Sequence, residues 1–136
     1  MEKGSIRMEI GQSSSFTKTI SESDVYLFAG ITGDFNPIHI NEDEAKKSLF
    51  KTRVAHGMLS GSFISTVLGT KMPGPGTIYL EQNLKFKKPV FINDTVTAQV
   101  TVSEVINHDK GIYKLETIIK NSRDEVVTEG YAVVRV

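Results

Sequence analysis

The stretch GMLSGSFISTVLGTKMPGPG, residues 57–76, decides the fold because the hydrophobic pattern of the chain changes within it. Its first half repeats apolar side chains at helical spacing: Leu59, Phe63 and Val67, joined by Ile64 and Leu68. That spacing predicts a buried helix over Gly57–Gly69. The run Met72–Gly76 then alternates proline with glycine and ends the helix. We therefore expect a different architecture after Pro73.

Beyond Pro73 the hydrophobic period is two, which is typical of strands that bury one face. The segments that show it are 78–86, 95–102, 112–120 and the valine-rich 126–136. Turn-forming residues at Asn107–Gly111 and Asn121–Asp124 favour antiparallel pairing of the neighbouring strands. A short β-branched segment upstream, Phe16–Ile20, adds another strand. The sequence thus predicts an α+β fold, an antiparallel sheet of about five strands laid against one buried helix.

Two shorter helices are expected upstream of Gly57. The cluster Ser21–Asp24 is typical of an N-cap and precedes apolar residues at helical spacing, which predicts a helix over 22–31. The polar run Asn41–Lys47 has acids in its first turn and lysines in its last, an order that the helix dipole favours. It predicts a short, exposed helix.

With 136 residues, the chain is expected to form a single domain over 1–136. Its 16 basic and 16 acidic residues cancel, so bulk charge gives no reason to expect a nucleic-acid or anionic-membrane partner. The sequence contains no cysteine, which excludes disulfides, thiolate catalysis and the common zinc motifs. It has neither a signal-like apolar N-terminus nor a run approaching the ~20 apolar residues of a membrane span. We expect a cytoplasmic protein with no membrane partner.

Small residues also recur at every fourth position of the predicted helix: Gly57, Gly61, Ser65 and Gly69. They give one side of the helix side chains too short to fill a gap, so another group can approach closely there. Close packing of the helix on the sheet is one interpretation, and a ligand site is the other. The two interpretations are compatible.

The segment GDFNPIH, Gly33–His39, holds the strongest candidates for chemistry. Asn36 before Pro37 discourages helix through residue 36, so Asp34 and His39 are expected in a fixed irregular loop. A carboxylate and an imidazole that meet at one spot can divide acid/base work. Spacing alone leaves a structural alternative open, in which Asp34 forms an Asx-turn and His39 packs or faces solvent.

A further candidate lies at the start of the predicted helix, in the segment His56–Leu59. The backbone N–H of Gly57 is a donor supported by the helix dipole, and glycine lets a ligand approach it, which suits a thioester oxygen that becomes negative. Ser65 lies on the same small-residue side, where its hydroxyl orients His39 or is simply a small core residue. His56 stays unassigned. Three scattered histidines without supporting carboxylate spacing predict no metal site.

Together these residues carry a family resemblance. The signature Gly33–His39, followed by His56–Leu59, Ile78–Leu80 and Phe86–Val90, resembles the MaoC-like or (R)-specific enoyl-CoA hydratase family over nearly the whole chain. The resemblance implies a hot-dog fold, in which an antiparallel sheet wraps a central helix. It also implies a homodimer or a dimer of dimers with the active site near the subunit interface. Finally, it implies an enzyme, a hydro-lyase, and favours a functional role for the signature.

In that family the aspartate and histidine of the signature, which correspond to Asp34 and His39, activate a water and protonate the α-carbon of the thioester. The implied reaction is reversible syn addition of water to trans-2-enoyl-CoA, giving the (R)-3-hydroxyacyl-CoA. The resemblance places the N–H donor to the thioester oxygen at Gly57 and the serine that supports the histidine at Ser65, and we expect Asn36 to support the site. No cofactor is expected, because the coenzyme A thioester is itself the substrate.

Several points stay open at the level of sequence. Ser62 competes with Ser65 for the supporting role. The residues that hold the coenzyme A phosphates are not identified, because the nearby lysines also fit a solvated strand face: Lys85, Lys87 and Lys88. The acyl-chain length is equally open, with four candidate lining residues: Phe28, Leu59, Ile64 and Leu68.

Other functions also stay open. The enzyme could dehydrate 3-hydroxyacyl thioesters of acyl carrier protein, or another hydroxyacyl-CoA. Thioester hydrolysis is a more distant activity of the same fold. A non-catalytic acyl-CoA binding module is the alternative from a different class, although binding alone does not need an acid/base pair.

Overall fold

The computed structural model describes residues 7–136. In chain order the elements are β1 (Ser13–Thr19), α1 (Glu22–Thr32), α2 (Pro37–Ile40), α3 (Glu42–Ala45), α4 (Gly57–Thr70), β2 (Ile78–Phe86), β3 (Thr95–Asn107), β4 (Ile112–Lys120) and β5 (Val126–Arg135). The chain changes from helix to strand between α4 and β2, where the sequence predicted it. None of the helices in residues 7–136 is long and apolar enough to cross a membrane.

The strands of residues 7–136 form one antiparallel sheet in the order β1, β3, β4, β5, β2. Strands β3, β4 and β5 follow one another as hairpins, while β2 pairs with the outer side of β5 and β1 pairs with β3. Along β3 and β4, buried residues alternate with more exposed ones, so the sheet has one buried face. The predicted α+β architecture with an antiparallel sheet is confirmed.

Helix α4 packs on this buried face and supplies the centre of the core. Its side chains pack with those of the sheet: Leu59, Phe63, Ile64, Val67 and Leu68 with Val96, Ala98, Val100, Leu115, Ile119 and Ala132. Phe63 also meets Phe16 of β1 edge to face, with ring centroids 5.8 Å apart. Each large side chain buried in this way contributes roughly 1.5–3 kcal/mol. The core therefore fixes α4 and, with it, the residues at the start of that helix.

The ends of α1 and β3 show what the sequence pattern captured and what it missed. Helix α1 begins with the expected cap, because Ser21 Oγ accepts the Asp24 N–H at 3.1 Å and Asp24 Oδ2 accepts the Ser21 N–H at 2.9 Å. Strand β3 runs on to Asn107, well past the segment 95–102 that the alternation predicted. Register shifts occur between Val102 and Glu104 and again before Asn107. Such bulges interrupt the period of two, so the sequence pattern does not predict the rest of the strand.

Strand β2 departs further from its prediction. Its alternation predicted one buried face, yet Ile78 is 42% exposed, Leu80 50% and Phe86 53%. Only Leu84 packs partly against the core. The physical reason is that β2 lies at the edge of the sheet and faces the small residues of α4, so an open groove separates its first half from the helix. The prediction of one buried face is wrong for β2 within this chain.

Candidate active site

Helix α1 ends in a turn that presents Asp34. Gly33 adopts the left-handed conformation, with φ 81°, and its N–H donates to the Ala29 carbonyl at 2.8 Å, the usual reason for glycine at a helix end. The Asp34 N–H donates to Thr32 Oγ1 at 3.2 Å, and Asp34 Oδ1 accepts the Asn36 N–H at 3.2 Å. Asp34 thus forms the Asx-turn of the structural alternative while its exposed side chain stays within reach of a ligand.

The chain enters α2 immediately after this turn. Asn36 caps the helix by accepting the Ile38 N–H at 3.3 Å, and Pro37 occupies a first-turn position, where no N–H is needed. His39 therefore lies on a short helix, so the prediction of an irregular loop through His39 is wrong. The reason is that proline disfavours helix at the residue before it but suits the first turn of a new helix, and Pro37 occupies such a position. The cap by Asn36 is compatible with its predicted supporting role.

His39 projects inward from α2 and is 7% exposed. Its Nδ1 lies 2.7 Å from the carbonyl oxygen of Val54. Because a carbonyl only accepts, Nδ1 carries the hydrogen and the Nε2 atom of the neutral ring keeps a free lone pair. Burial lowers the pKa of His39, with a smaller contribution from His56, against the opposing effects of the Val54 carbonyl and Asp34. The ring is held as a neutral base.

His56, which sequence reasoning left unassigned, lies against both members of the candidate pair. It is the N-cap residue of α4 and is 2% exposed. Its Nε2 lies 2.9 Å from the main-chain oxygen of Asp34, and its ring stacks on His39 with centroids 3.8 Å apart and planes at 27°. Phe28 packs against it edge to face at 4.9 Å. The sequence signals for this residue are its place just before the glycine that opens the buried helix and its position in the segment His56–Leu59, which carries part of the family resemblance.

Gly57 opens α4 beside these histidines. The first N–H groups of a helix have no partner within it, so they are donors for a ligand. A Cβ atom on Gly57 would lie 2.7 Å from two ring carbons of Phe86. Glycine therefore permits the close approach of Phe86 to the start of α4.

A cavity of about 470 Å³ adjoins these residues. Asp34, His39, His56 and Gly57 line it together with apolar side chains, which include Phe50, Val54, Met58, Phe86 and Val90. A mainly apolar cavity with a few convergent polar groups is typical of a small-molecule site. The structure thus brings together Asp34, His39 and Gly57, three residues that the sequence singled out.

Other singled-out residues lie outside this cavity. Ser65 lines a separate groove between α4 and β2, together with Ser62, whose Oγ donates to the Met58 carbonyl at 2.8 Å. The Nδ1 atom of His39 is bonded to Val54, so within this chain Ser65 does not orient the ring, and its role stays a prediction. The four candidate acyl-chain residues are not among the cavity's lining residues in the described part of the chain: Phe28, Leu59, Ile64 and Leu68.

Two of the three candidate phosphate-binding lysines line the cavity, and both pair with glutamates. Lys87 Nζ lies 3.2 Å from Glu129, and Lys88 Nζ lies 2.6 Å from Glu125. The Lys88 contact is the largest cause that lowers the pKa of Glu125, to about 2. Lys85 lines a different, polar groove on the sheet. The contacts leave the coenzyme A phosphate site unassigned.

The geometry matches a known family. The sequence fits the family described as MaoC like domain over residues 5–123, which is most of the chain. The chain belongs to the MaoC-like family. It is 57% identical over 126 residues to the (R)-specific enoyl-CoA hydratase of Rhodospirillum rubrum, covering 93% of this chain and 86% of that protein. It is 45% identical over 129 residues to the 3-hydroxybutyryl-CoA dehydratase of Methylorubrum extorquens, covering 95% of this chain and 81% of that protein.

Solved structures agree with this placement. The (R)-hydratase from A. caviae involved in PHA biosynthesis superimposes with a TM-score of 0.91 at 40% identity, over 95% of this chain and 97% of that chain. The MaoC-like protein therefore has the hot-dog fold, and the predictions of its family and of a hydratase or dehydratase, a hydro-lyase, are confirmed.

The MaoC-like site also groups potential metal ligands. Asp34, His39 and His56 each offer a ligand atom within 4.8 Å of the others. A histidine binds a metal through a ring nitrogen that carries no hydrogen. One nitrogen of each ring is already bonded to a carbonyl oxygen, and the two rings stack with centroids 3.8 Å apart and planes at 27°. The arrangement suits acid/base chemistry better than coordination, and the absence of a metal stays a prediction.

Proposed function

We propose that this MaoC-like protein adds water to trans-2-enoyl-CoA and forms the (R)-3-hydroxyacyl-CoA. The observation that carries the proposal is a neutral His39 with a free Nε2 lone pair, placed beside the Asp34 carboxylate in one cavity. A carboxylate oxygen of Asp34 and a ring nitrogen of His39 lie within 4.8 Å of each other, a gap that one water can bridge by hydrogen bonds to both. The identity of 57% with an (R)-specific enoyl-CoA hydratase supports the same reaction.

In the proposed reaction, His39 Nε2 accepts a proton from this water, whose other hydrogen is bonded to the Asp34 carboxylate. The water oxygen bonds to C3, and the π electron pair of the C2–C3 bond moves into the thioester as an enolate. The His39 imidazolium then returns its proton to C2, where the enolate electron pair forms the new C–H bond. One water is added in total. The addition is syn, because one side chain handles the proton on one face of the substrate.

The enolate oxygen needs a donor that is already in place. The N–H at Gly57 serves this purpose, since the start of α4 carries the positive end of the helix dipole and the residue lacks a side chain that would block approach. The buried core under α4 holds this donor rigid. Removing one comparable donor in other enzymes lowers kcat roughly 100- to 1,000-fold.

The same groups run the reverse reaction. By microscopic reversibility His39 removes a proton from C2 of a 3-hydroxyacyl-CoA and returns it to the departing hydroxyl. The identity of 45% with a 3-hydroxybutyryl-CoA dehydratase favours dehydration as the second candidate function. Reactant concentrations decide the direction, so both activities are expected in one assay series.

The main test follows the enoyl thioester absorbance with crotonyl-CoA and longer trans-2-enoyl-CoA substrates, with chiral analysis of the product. We expect loss of the enoyl absorbance and an (R)-3-hydroxy product. An (S) product, or no hydration at any chain length, contradicts the proposal. Release of free thiol would instead indicate thioester hydrolysis.

We propose that neither a metal nor an organic cofactor takes part. The water supplies the oxygen and both hydrogens that are added, while His39 carries one proton and Asp34 holds the water in place. Hydration of crotonyl-CoA is therefore expected to continue at the same rate after dialysis against EDTA. A rate that falls on dialysis and returns with an added divalent metal would overturn this part of the proposal.

We further propose that the protein works as a homodimer. Strand β2 lies at the edge of the sheet and exposes apolar side chains at Ile78 and Leu80, an arrangement that favours pairing with another chain. The groove beside β2 shares Met58 with the catalytic cavity, so a second copy seated there would approach the site. Light scattering should give twice the chain mass. Leu80→Lys should reduce it, whereas Leu49→Lys, at a residue that is 87% exposed and outside β2, should not.

We place the reaction in the cytoplasm, as part of fatty acid metabolism. The absence of cysteine is compatible with a reducing compartment, and coenzyme A thioesters are substrates of intracellular metabolism. Fractionation of cells should recover the enoyl-CoA hydration activity in the cytosolic fraction. Recovery with membranes or in the secreted fraction contradicts this placement.

A further inference from the structure

His56 contacts both members of the acid/base pair, although no motif assigned it a role. It caps no N–H group of α4 with its side chain, which distinguishes it from the usual N-cap residue. Instead the ring is turned toward Asp34 and His39 and is sealed on its other side by Phe28. A buried histidine whose contacts go to the reacting groups, and not to its own helix, calls for an explanation beyond helix capping.

We propose that His56 is a positioning residue for the reaction: its Nε2–H holds the main chain of Asp34, and its ring face fixes the imidazole of His39. One side chain on the rigid helix α4 thus sets the relative placement of the acid/base pair. The inference rests on the proposed hydratase function for its kinetic consequences but not for the contacts themselves.

The first half of the argument concerns Asp34. Its other contacts are made with its own turn, to Thr32 and Asn36, each at 3.2 Å. The bond from His56 Nε2 to the Asp34 carbonyl is shorter, 2.9 Å, and links the exposed turn to the buried start of α4. Because the carbonyl only accepts, the hydrogen of His56 must be on Nε2. Without this bond, Asp34 would be held only by the hydrogen bonds within its own turn, which is exposed to solvent.

The second half concerns His39. The two rings stack at 3.8 Å, so His56 covers one face of the imidazole while the Val54 carbonyl holds its Nδ1–H. The Nδ1 atom of His56 is buried without a hydrogen-bond partner in residues 7–136. With its hydrogen on Nε2, His56 points no donor at His39 and acts on it by contact of the ring faces.

The titratable and charged groups that face His39 come from three segments of residues 7–136. Asp34 faces it from the turn after α1, His56 from the start of α4, and Lys87 and Lys88 line the same cavity beyond β2, each paired with a glutamate. Burial is the main cause of the lowered pKa of His39, and His56 acts in the same direction. Removing the ring of His56 both exposes His39 and removes that contribution, so the pKa of His39 should rise.

Two substitutions separate the two contacts. His56→Gln keeps an N–H donor near the position of Nε2 but removes the aromatic face. His56→Phe keeps an aromatic face but removes the donor. His108→Gln is the matched control, because His108 lies in an exposed turn far along the chain from the signature.

The expected kinetics differ between the two variants. His56→Phe should lower kcat roughly 10- to 100-fold with little change in KM, since Asp34 is released from its position, and should leave the acid limb of the kcat/KM profile in place. His56→Gln should retain more of kcat at high pH but shift the acid limb to higher pH. The control should match the wild type. A shared loss of activity and thermal stability in both variants, or wild-type kinetics with an unchanged acid limb in both, overturns the proposal.

A measurement on the wild-type protein decides the contacts independently of folding or turnover of the variants. Nitrogen NMR of the histidine rings should show His39 with its hydrogen on Nδ1 and His56 with a hydrogen on Nε2. A His56 that carries its only hydrogen on Nδ1 overturns the proposal. If the protein hydrates no enoyl thioester, the proposed function fails while this measurement still tests the placement of His56.

Discussion

The segment between α1 and α4 and the sheet beneath α4 are held in place by different interactions. In the segment, residues 33–56, hydrogen bonds between side chains and backbone hold the site residues in place. In the sheet, alternating side chains bury one face against the helix with few polar groups inside. The comparison indicates that the candidate catalytic side chains and the side chains that stabilise the fold lie in separate regions. Substitutions should therefore change one without the other.

The largest effect is expected for Asp34→Asn in the first region. Asparagine keeps an oxygen for the Asx-turn but cannot act as a carboxylate, so kcat should fall roughly 100- to 10,000-fold while the free energy of unfolding stays nearly constant. Crotonyl-CoA turnover and urea unfolding measure the two quantities. Asp43→Asn, at an exposed position of α3, is the control and should match the wild type. Equal kcat in both variants would remove Asp34 from the chemistry.

The next effect is expected in the second region, for Leu115→Ala in β4. Leu115 is fully buried in the cluster that supports α4, and such truncations lower the free energy of unfolding by about 2–5 kcal/mol. Well below the melting temperature, the kcat per folded molecule should be close to that of the wild type. Glu116→Ala, at the exposed neighbouring position, should change stability little. A large fall in kcat of Leu115→Ala without unfolding would break the separation of the two regions.

The same contrast explains how much the sequence could predict. Period-two alternation predicted β4 and the first part of β3, because every second side chain of these strands is buried in the core. Strand β2 shows the same alternation, yet the prediction failed there, because a local pattern does not record that β2 lies at the sheet edge beside the small residues of α4. His56 could not be assigned at all, since its role depends on contacts to Asp34, 22 residues away, and to His39. Asp34 and His39 were identified through the signature Gly33–His39, whose spacing alone favoured a structural role, and Gly57 through its place at the start of the buried helix.

A smaller effect is expected in the pH dependence of hydration, which tests whether the burial of His39 lowers its pKa. Burial lowers the pKa of His39 from its ordinary value of 6.5, and the neutral ring is the base. The kcat/KM of hydration should therefore stay on its plateau through pH 6.5 and fall only as the pH drops through the lowered value. Stability follows the same sign: the unfolded chain binds the proton more readily, so the free energy of unfolding decreases as the pH falls below 6.5.

The measurement is a pH profile of kcat/KM together with urea unfolding at each pH. The stability change attributable to His39 is found by comparison with His39→Gln, which cannot titrate. An acid limb centred above 6.5 would mean that the carboxylate of Asp34 outweighs burial. That result would contradict a lowered pKa for His39.

The smallest effect is expected where the two regions meet, at Gly57 and Phe86. Gly57→Ala would place a Cβ 2.7 Å from the ring of Phe86, but this ring is 53% exposed and can turn away. The loss of stability should therefore stay near the lower end of overpacking, about 1 kcal/mol. If the ring contact is the cause, Phe86→Ala should remove that loss, and the double-mutant cycle should give a coupling of about 0.5 kcal/mol or more. Additive losses would exclude the contact as the reason for glycine, whereas a fall in kcat that persists in the double variant would show that the methyl group itself hinders the thioester at the start of α4.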